Sequence, residues 1–419
     1  MSKAKSFHYG WIIVIALSLI RGIAGPALNG SSGLFLTPVS EEIGVGIGQL
    51  SLYLSISSVA TMLFLPIAGN LINQYSVKTI VILGVALQAL SFAGLGFMHS
   101  VWGWYILSVP LAMGAVLLVN LLGPVLINRW FVSKKGFVMG IMMTITSLLG
   151  AVFQPLLTGL IANTGWRNTY RVFGIAAFVC VIAIALLFLK DKPADKNLKP
   201  YGSGEAKDPA SDGAPAQNIG VAAKTATKSS AFYLLLLFMV CFTGFVVFSQ
   251  HIPTFGTNSG LSAQNIGTAL SLSMIGSAVG SILIGIFSDK VGIIPTTLFV
   301  LGVGAVAICL FLFGGSGFVL FAVATFLHGL ATSAIGVVAP LLTSGFFGSK
   351  DYEKLFSLVM TGSPLASIVL LPTYGFIYDR MASYRIVLLF ILALLAIGAI
   401  SLLLGFKSSK KLPRENAQH

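Results

Sequence analysis

Arg21 sits inside a long apolar run, ten residues beyond Trp11, and no other basic residue lies so deep in such a run. None of the twelve acidic residues offers it a partner there. Glu41 and Glu42 follow the first run, and Asp191, Asp195, Glu205, Asp208 and Asp212 fall in a polar stretch. Asp289, Asp351, Glu353 and Asp379 stand at the ends of runs, and Glu415 is in the tail. A guanidinium in apolar surroundings has two outlets. It meets an anion from outside the chain, or it bonds to backbone carbonyls and extends toward water as a packing post. Asn29 lies eight residues on, two helical turns along and within about 80° of the same face. Gly25-Pro26 between them can bend a helix. A cation to read charge and an amide to read an oxygen together suit a carboxylate.

Other polar residues inside apolar runs are Gln88, Asn120, Gln154, Gln250 and His251. Each needs a hydrogen-bond partner there, either a neighbouring helix or a bound carboxylate. Gln154 precedes Pro155, and Gln250-His251 precede Pro253, so those helices are expected to be distorted nearby. His251 and His328 are the histidines inside runs; either can carry a proton near neutral pH or serve as a satisfied packing group. Ser147 and Ser363, with Ser277 and Ser281, are candidates to line a pocket, while Gly276 and Gly280 allow close helix approach. Cys180, Cys241 and Cys309 all fall in apolar runs, as small packed residues do. No phosphate loop, metal cluster or nucleophile constellation appears, so neither an enzymatic reading nor a cofactor is supported.

The elements that position these residues follow from composition. Of 419 residues, 56% are hydrophobic and 9% charged, with mean hydropathy +0.94. Soluble domains carry about a quarter charged residues, which excludes a water-soluble enzyme. A bilayer-spanning helix takes about 20 mostly apolar residues. Twelve spans are expected at 11–36, 49–72, 77–98, 101–130, 136–161, 170–189, 231–256, 262–287, 293–314, 316–345, 354–378 and 384–406. Arg21 then lies about 15 Å into the layer, where a charge costs from about 2.5 to above 10 kcal/mol. The start of the chain reads as a retained first helix rather than a cleaved leader.

The +13 formal charge follows from topology rather than from nucleic-acid binding. With the first span leaving the cytoplasm, 20 of the 25 Lys and Arg residues fall on inner segments. Trp11 and Trp130 mark inner boundaries, and Trp102, Trp104 and Trp166 outer ones. Both termini are therefore expected in the cytoplasm. The Lys-, Asp-, Gly- and Pro-rich segment 190–230 lacks large apolar side chains and reads as a flexible cytoplasmic linker. It separates a six-span unit over 1–189 from another over 231–406, with a tail at 407–419.

The two halves match at an offset of 216. Leu54-Ser55-Ile56-Ser57 meets Leu270-Ser271-Leu272-Ser273, Gly69 meets Gly285, and Phe131-Val132-Ser133-Lys134 meets Phe347-Gly348-Ser349-Lys350. Parallel six-helix repeats around a midplane site are a transporter architecture.

The residues between spans 8 and 9, Gly285-Ile286-Phe287-Ser288-Asp289-Lys290-Val291-Gly292, resemble the cytoplasmic loop motif of the major facilitator superfamily. Between spans 2 and 3 the motif is degraded, with Asn73 where an acid is usual. Asn128-Arg129-Trp130-Phe131-Val132-Ser133-Lys134-Lys135-Gly136 is similar to the branch holding monocarboxylate transporters and oxalate/formate antiporters, as is His8-Tyr9-Gly10-Trp11 to bacterial members. The resemblance implies an all-α membrane fold of twelve helices in two pseudo-symmetric six-helix bundles. The branch's own cations would fall at Asn29, near Ser281 and near Ser363, and its acid near Ser277. All four positions are uncharged, which makes a dicarboxylate a poor substrate.

The expectation is a secondary transporter of a small organic anion, a monocarboxylate first, working by alternating access in the cell membrane as a monomer. Arg21 would attract the carboxylate, with Asn29, Asn120, Gln154, Gln250, His251, Ser281 and Ser363 around it. His251 or His328 would carry a proton where transport is proton-coupled. Arg129, Asp289 and Lys290 would serve a cytoplasmic gate. The alternative is an exporter of neutral or amphipathic molecules in which Arg21 is purely structural.

Overall fold

The structure, a computed structural model, describes residues 8–132, 135–203, 219–313, 317–348 and 350–416. Helices account for nearly all of them. Ten are long and apolar enough to cross a membrane by length and composition, and one of these is a merged pair. We number the spans α1 (Gly10–Ile43), α2 (Ile47–Gln74), α3 (Val77–Leu95), α4 (Val101–Trp130), α5 (135–164), α6 (166–188) and α7 (Ser230–Gln250). Then follow α8 (Ala263–Val291), α9 (Ile293–Phe313), α10, α11 and α12 (Arg385–Ser409). Such helices satisfy their own backbone, as oil demands.

Four details depart from the spans expected. α1 runs on to Ile43. No loop separates α5 from α6: one residue, Gly165 at φ 79°, turns the chain between them, a conformation that glycine adopts without a Cβ clash. α10 is split into Phe318–Thr332 and Ile335–Phe347, and α11 into Tyr352–Met360 and Gly362–Met381. Hydropathy reads through such breaks, because the side chains remain apolar while the backbone turns.

The chain forms two compact units, 1–43 with 56–213, and 44–55 with 214–419. The first turns of α2 thus belong to the second unit rather than to the six-span unit expected over 1–189. Gly44-Val45-Gly46 offers no capping side chain to α2. The cap comes from Asp379 at the end of α11, whose carboxylate accepts from the N–H of Ile47 (2.9 Å) and of Gly48 (2.8 Å). Four N–H groups at a helix start lack intrahelical partners, and this carboxylate serves two of them.

Close packing in each unit rests on small residues. In the second, α8 and α10 meet so tightly that a Cβ on Gly329 would collide with the Ser273 carbonyl. In the first, a Cβ on Gly114 (α4) would strike the Gly84 carbonyl of α3.

The reading of 190–230 as a spacer is corrected at both ends. Tyr201 exchanges backbone bonds with the loop after α4 (Tyr201 N–H to Trp130 O, 2.8 Å; Val132 N–H to Tyr201 O, 2.9 Å). Its ring packs near His8, Trp11 and Phe131. At the far end, Val221 N–H donates to Phe347 O after α10 (2.7 Å), and Ile219–Gly220 (β1) pairs with Glu415–Asn416 (β2). The linker ends therefore dock on the same repeated motif, once in each half. Residues 204–218 lie outside the described residues.

Candidate functional site

The middle of α1 is not α-helical. From Ile23 to Asn29 it forms a π segment around Pro26. Proline has no N–H to give to the preceding turn, and side chains add bonds to several carbonyls of the segment and its end. Gln88 of α3 donates its amide N–H to Ala24 O (2.7 Å), and Gln154 of α5 donates to Pro26 O (3.4 Å). Ser31 and Ser32 donate to the carbonyls of Ala27 and Asn29. α3 and α4 carry π segments of their own, Ala86–Leu90 and Val116–Leu121. Gly25 faces Val119 across the contact, and Gly114 backs onto Gln88. Three such segments thus meet inside one unit, and π turns concentrate at functional sites.

Arg21 precedes this segment. It is half-buried, and its Nε is buried with no hydrogen-bond partner. Among the described residues the one ion pair is Arg167 to Glu42, so no carboxylate neutralises Arg21. Asn29 closes the segment and is exposed. A π turn takes in one more residue than an α turn, which rotates Asn29 back toward the Arg21 stripe from its α-helical phase. Asn120 lies in the α4 π segment and is exposed. Gln154 and Gln88 are fully buried, and the Oε1 of each has no partner among the described residues.

In the second unit the expected residues are spread out and largely engaged. α7 tightens into a 3-10 turn at Phe248–Gln250 ahead of Pro253. His251 follows it, fully buried, with both nitrogens used. Nε2–H donates to Leu371 O (2.9 Å), which leaves Nδ1 to accept from the Tyr384 hydroxyl (3.1 Å). That pairing sets one tautomer. His328 of α10 is also fully buried. Its Nε2 donates to Phe245 O (3.1 Å), and its Nδ1 has no partner among the described residues. The Phe245 ring lies 4.5 Å from it. Ser281 is exposed and turned onto the Ser277 carbonyl, and Ser363 accepts from Thr243 (3.0 Å).

Toward the α2–α3 turn, Arg129 donates to Ile72 O near the end of α2 (3.4 Å), where a helix presents its negative pole. Lys290 is exposed, and the Asp289 side chain lies outside the described residues, as does Lys134.

Sequence reasoning passed over a polar clasp in the first unit. Glu42 at the end of α1 accepts from Arg167 (2.8 Å) and Trp166 (2.6 Å), and Arg167 also donates to Met98 O (2.7 Å). The adjacent acids at the end of one span and Trp166-Arg167 at the start of another were the available signal. Gln88 stands out in the sequence as a polar residue in an apolar run, but its partner, the Ala24 carbonyl in the π segment, lies 64 residues away.

The Major Facilitator Superfamily profile matches residues 10–265 and 234–419. The chain is 24% identical over 307 residues to an oxalate:formate antiporter of Oxalobacter formigenes, covering 71% of this chain and 68% of that one. It is 24% identical over 394 residues to a probable sulfoacetate transporter of Cupriavidus necator, covering 87% and 86%. In fold it resembles the crystal structure of the nucleoside transporter NupG, with TM-score 0.74 at 12% identity over 96% of this chain and all of that one. Helix count, repeated halves and profile agree: the chain belongs to the Major Facilitator Superfamily and is a multi-pass membrane transporter rather than an enzyme.

Proposed function

We propose that this transporter moves a small organic anion, a monocarboxylate first, by alternating access of its two six-helix halves. One observation carries the reading: Arg21 is held within a membrane-spanning helix with no acidic partner among the described residues and with its Nε unbonded. A charge so placed is costly, and a carboxylate that enters and leaves offsets the cost on each cycle. The organic-anion names of two relatives support it. Exposed Asn29 and Asn120 supply amide donors in the same unit, fully buried Gln154 acts through the α1 backbone, and Gln250, Ser281 and Ser363 contribute shape and polarity. His251, with both nitrogens committed, is assigned to packing, and His328, with Nδ1 open, is kept as the proton-carrier candidate. Arg129, Asp289 and Lys290 serve the gate at the cytoplasmic face, where the excess of basic residues puts both termini.

The test is uptake into proteoliposomes of labelled monocarboxylates, dicarboxylates and neutral analogues, with and without a pH gradient. Saturable monocarboxylate flux, lost in Arg21→Gln, is expected. Flux of neutral analogues alone, unchanged by that substitution, would replace this reading with an exporter in which Arg21 is structural.

A further inference from the structure

Gln88 and Gln154 are fully buried and each leaves its carbonyl oxygen without a partner among the described residues. A residue retained only for packing gains nothing from a buried, unpaired acceptor. Both amides instead direct their N–H groups to one place: Gln88 to Ala24 O and Gln154 to Pro26 O, in the π segment Ile23–Asn29. Since a carbonyl only accepts, each amide must present its nitrogen, and the orientation is set by α1. The two arrive from different helices, α3 and α5, onto the carbonyls of residues two apart, which stand on opposite sides of a helix. Arg21 lies three residues before the first of these carbonyls, and Asn29 three after the second.

We propose that Gln88 and Gln154 are positioning residues that clamp the π segment of α1 from two sides and so set the placement of Arg21 and Asn29. The amides touch no substrate; they act through the backbone of α1. The segment has exchanged α-helical for π bonding around Pro26, and loss of either amide removes one hydrogen bond that holds it in that form. The inference rests on the reading of Arg21 as the anion contact for its functional meaning, though not for its test.

The test uses the full chain in lipid nanodiscs and needs no substrate. Two quantities are read by mass spectrometry: amide hydrogen exchange across residues 23–29, and the rate at which phenylglyoxal modifies Arg21. Gln88→Leu and Gln154→Leu should each raise both by about three- to tenfold, with exchange in α8 and modification of Arg129 unchanged. Gln88→Glu and Gln154→Glu are followed by exchange alone, as a ratio to wild type at the same pH. They should match wild type at about pH 5, where the protonated carboxyl donates to the carbonyl as the amide does. They should exceed it only where alkaline pH removes the proton that burial helps the carboxyl to keep. Wild-type exchange and Arg21 reactivity in both Leu variants would overturn the clamp, as would faster exchange in every helix alike. Should the Leu variants not fold, the Glu variants decide, and exchange across residues 23–29 above wild type at about pH 5 would overturn it. Retained carboxylate uptake in Arg21→Gln leaves these readouts untouched, so the two readings fail separately.

Discussion

The two units use one architectural plan and different interior chemistry. Among the described residues the first carries three π segments, a guanidinium without a counter-charge and two amides with open oxygens. Among the described residues the second has no π segment. Its spans α7, α10 and α11 are interrupted instead, and its polar groups are set among aromatic rings. The offset of 216 makes the contrast local. Phe35 in α1 stacks on Tyr170 (3.9 Å) and meets Phe92 edge-on (5.8 Å), while its counterpart His251 bonds to Tyr384 and Leu371. Arg21 has Leu237 as its counterpart, in a regular stretch of α7. A shared backbone plan therefore leaves each half free to place its charge and its polar groups differently.

Moving the charge gives the largest expected effect. Arg21→Gln should lower kcat/KM for carboxylate uptake by about a hundredfold, as loss of a desolvated charge partner does. Adding Leu237→Arg to Arg21→Leu should not restore it, because that side of α7 lacks the π segment and amide clamp. Recovery of uptake in the double variant would break the contrast between halves.

Packing comes next. Gly329→Ala and Gly114→Ala each drive a methyl into backbone, and each should cost about 1–3 kcal/mol in detergent unfolding. Gly302→Ala, with nothing within 4 Å of its new carbon, should be neutral. A large loss in one half alone would show that the halves also differ in how tightly they pack.

His251→Phe, which imitates the first half, removes both bonds and should destabilise by about 1–2 kcal/mol. The pH dependence of uptake should be retained; its disappearance would restore His251 as proton carrier. The smallest effects belong to the helix ends. Asp379→Ala, which uncaps α2, should cost about 1 kcal/mol. Glu42→Gln at the exposed clasp should cost less than about 1 kcal/mol and fade in high salt. Equal losses at the two sites would mean that the clasp is better shielded than its exposure indicates.

Spans, repeat and family were legible because they depend on local hydropathy and on motifs carried in one stretch, such as Gly285–Gly292. Arg21 was legible for the same reason, as a charge in an apolar run. The bonding of the polar residues was not. His251 and His328 look alike as letters, yet one has both nitrogens engaged and the other has one open. Gln154 reads from the sequence as cavity-lining, and its amide bonds to the Pro26 carbonyl of α1; Gln88 bonds likewise to Ala24. The docked ends of 190–230 escaped notice because backbone pairing leaves no compositional mark.

The amino-acid order alone determined that this chain folds into membrane-spanning helices in two repeated halves, since shielding apolar side chains from water and backbone groups from oil are decisions made within each segment. The tertiary structure alone decided which polar group is satisfied and which stays open. The partners come from other helices: Ala24 and Gln88 are 64 residues apart, Pro26 and Gln154 128, Ile47 and Asp379 332. A hydrogen bond forms at about 3 Å through space, and separation along the chain carries no information about it.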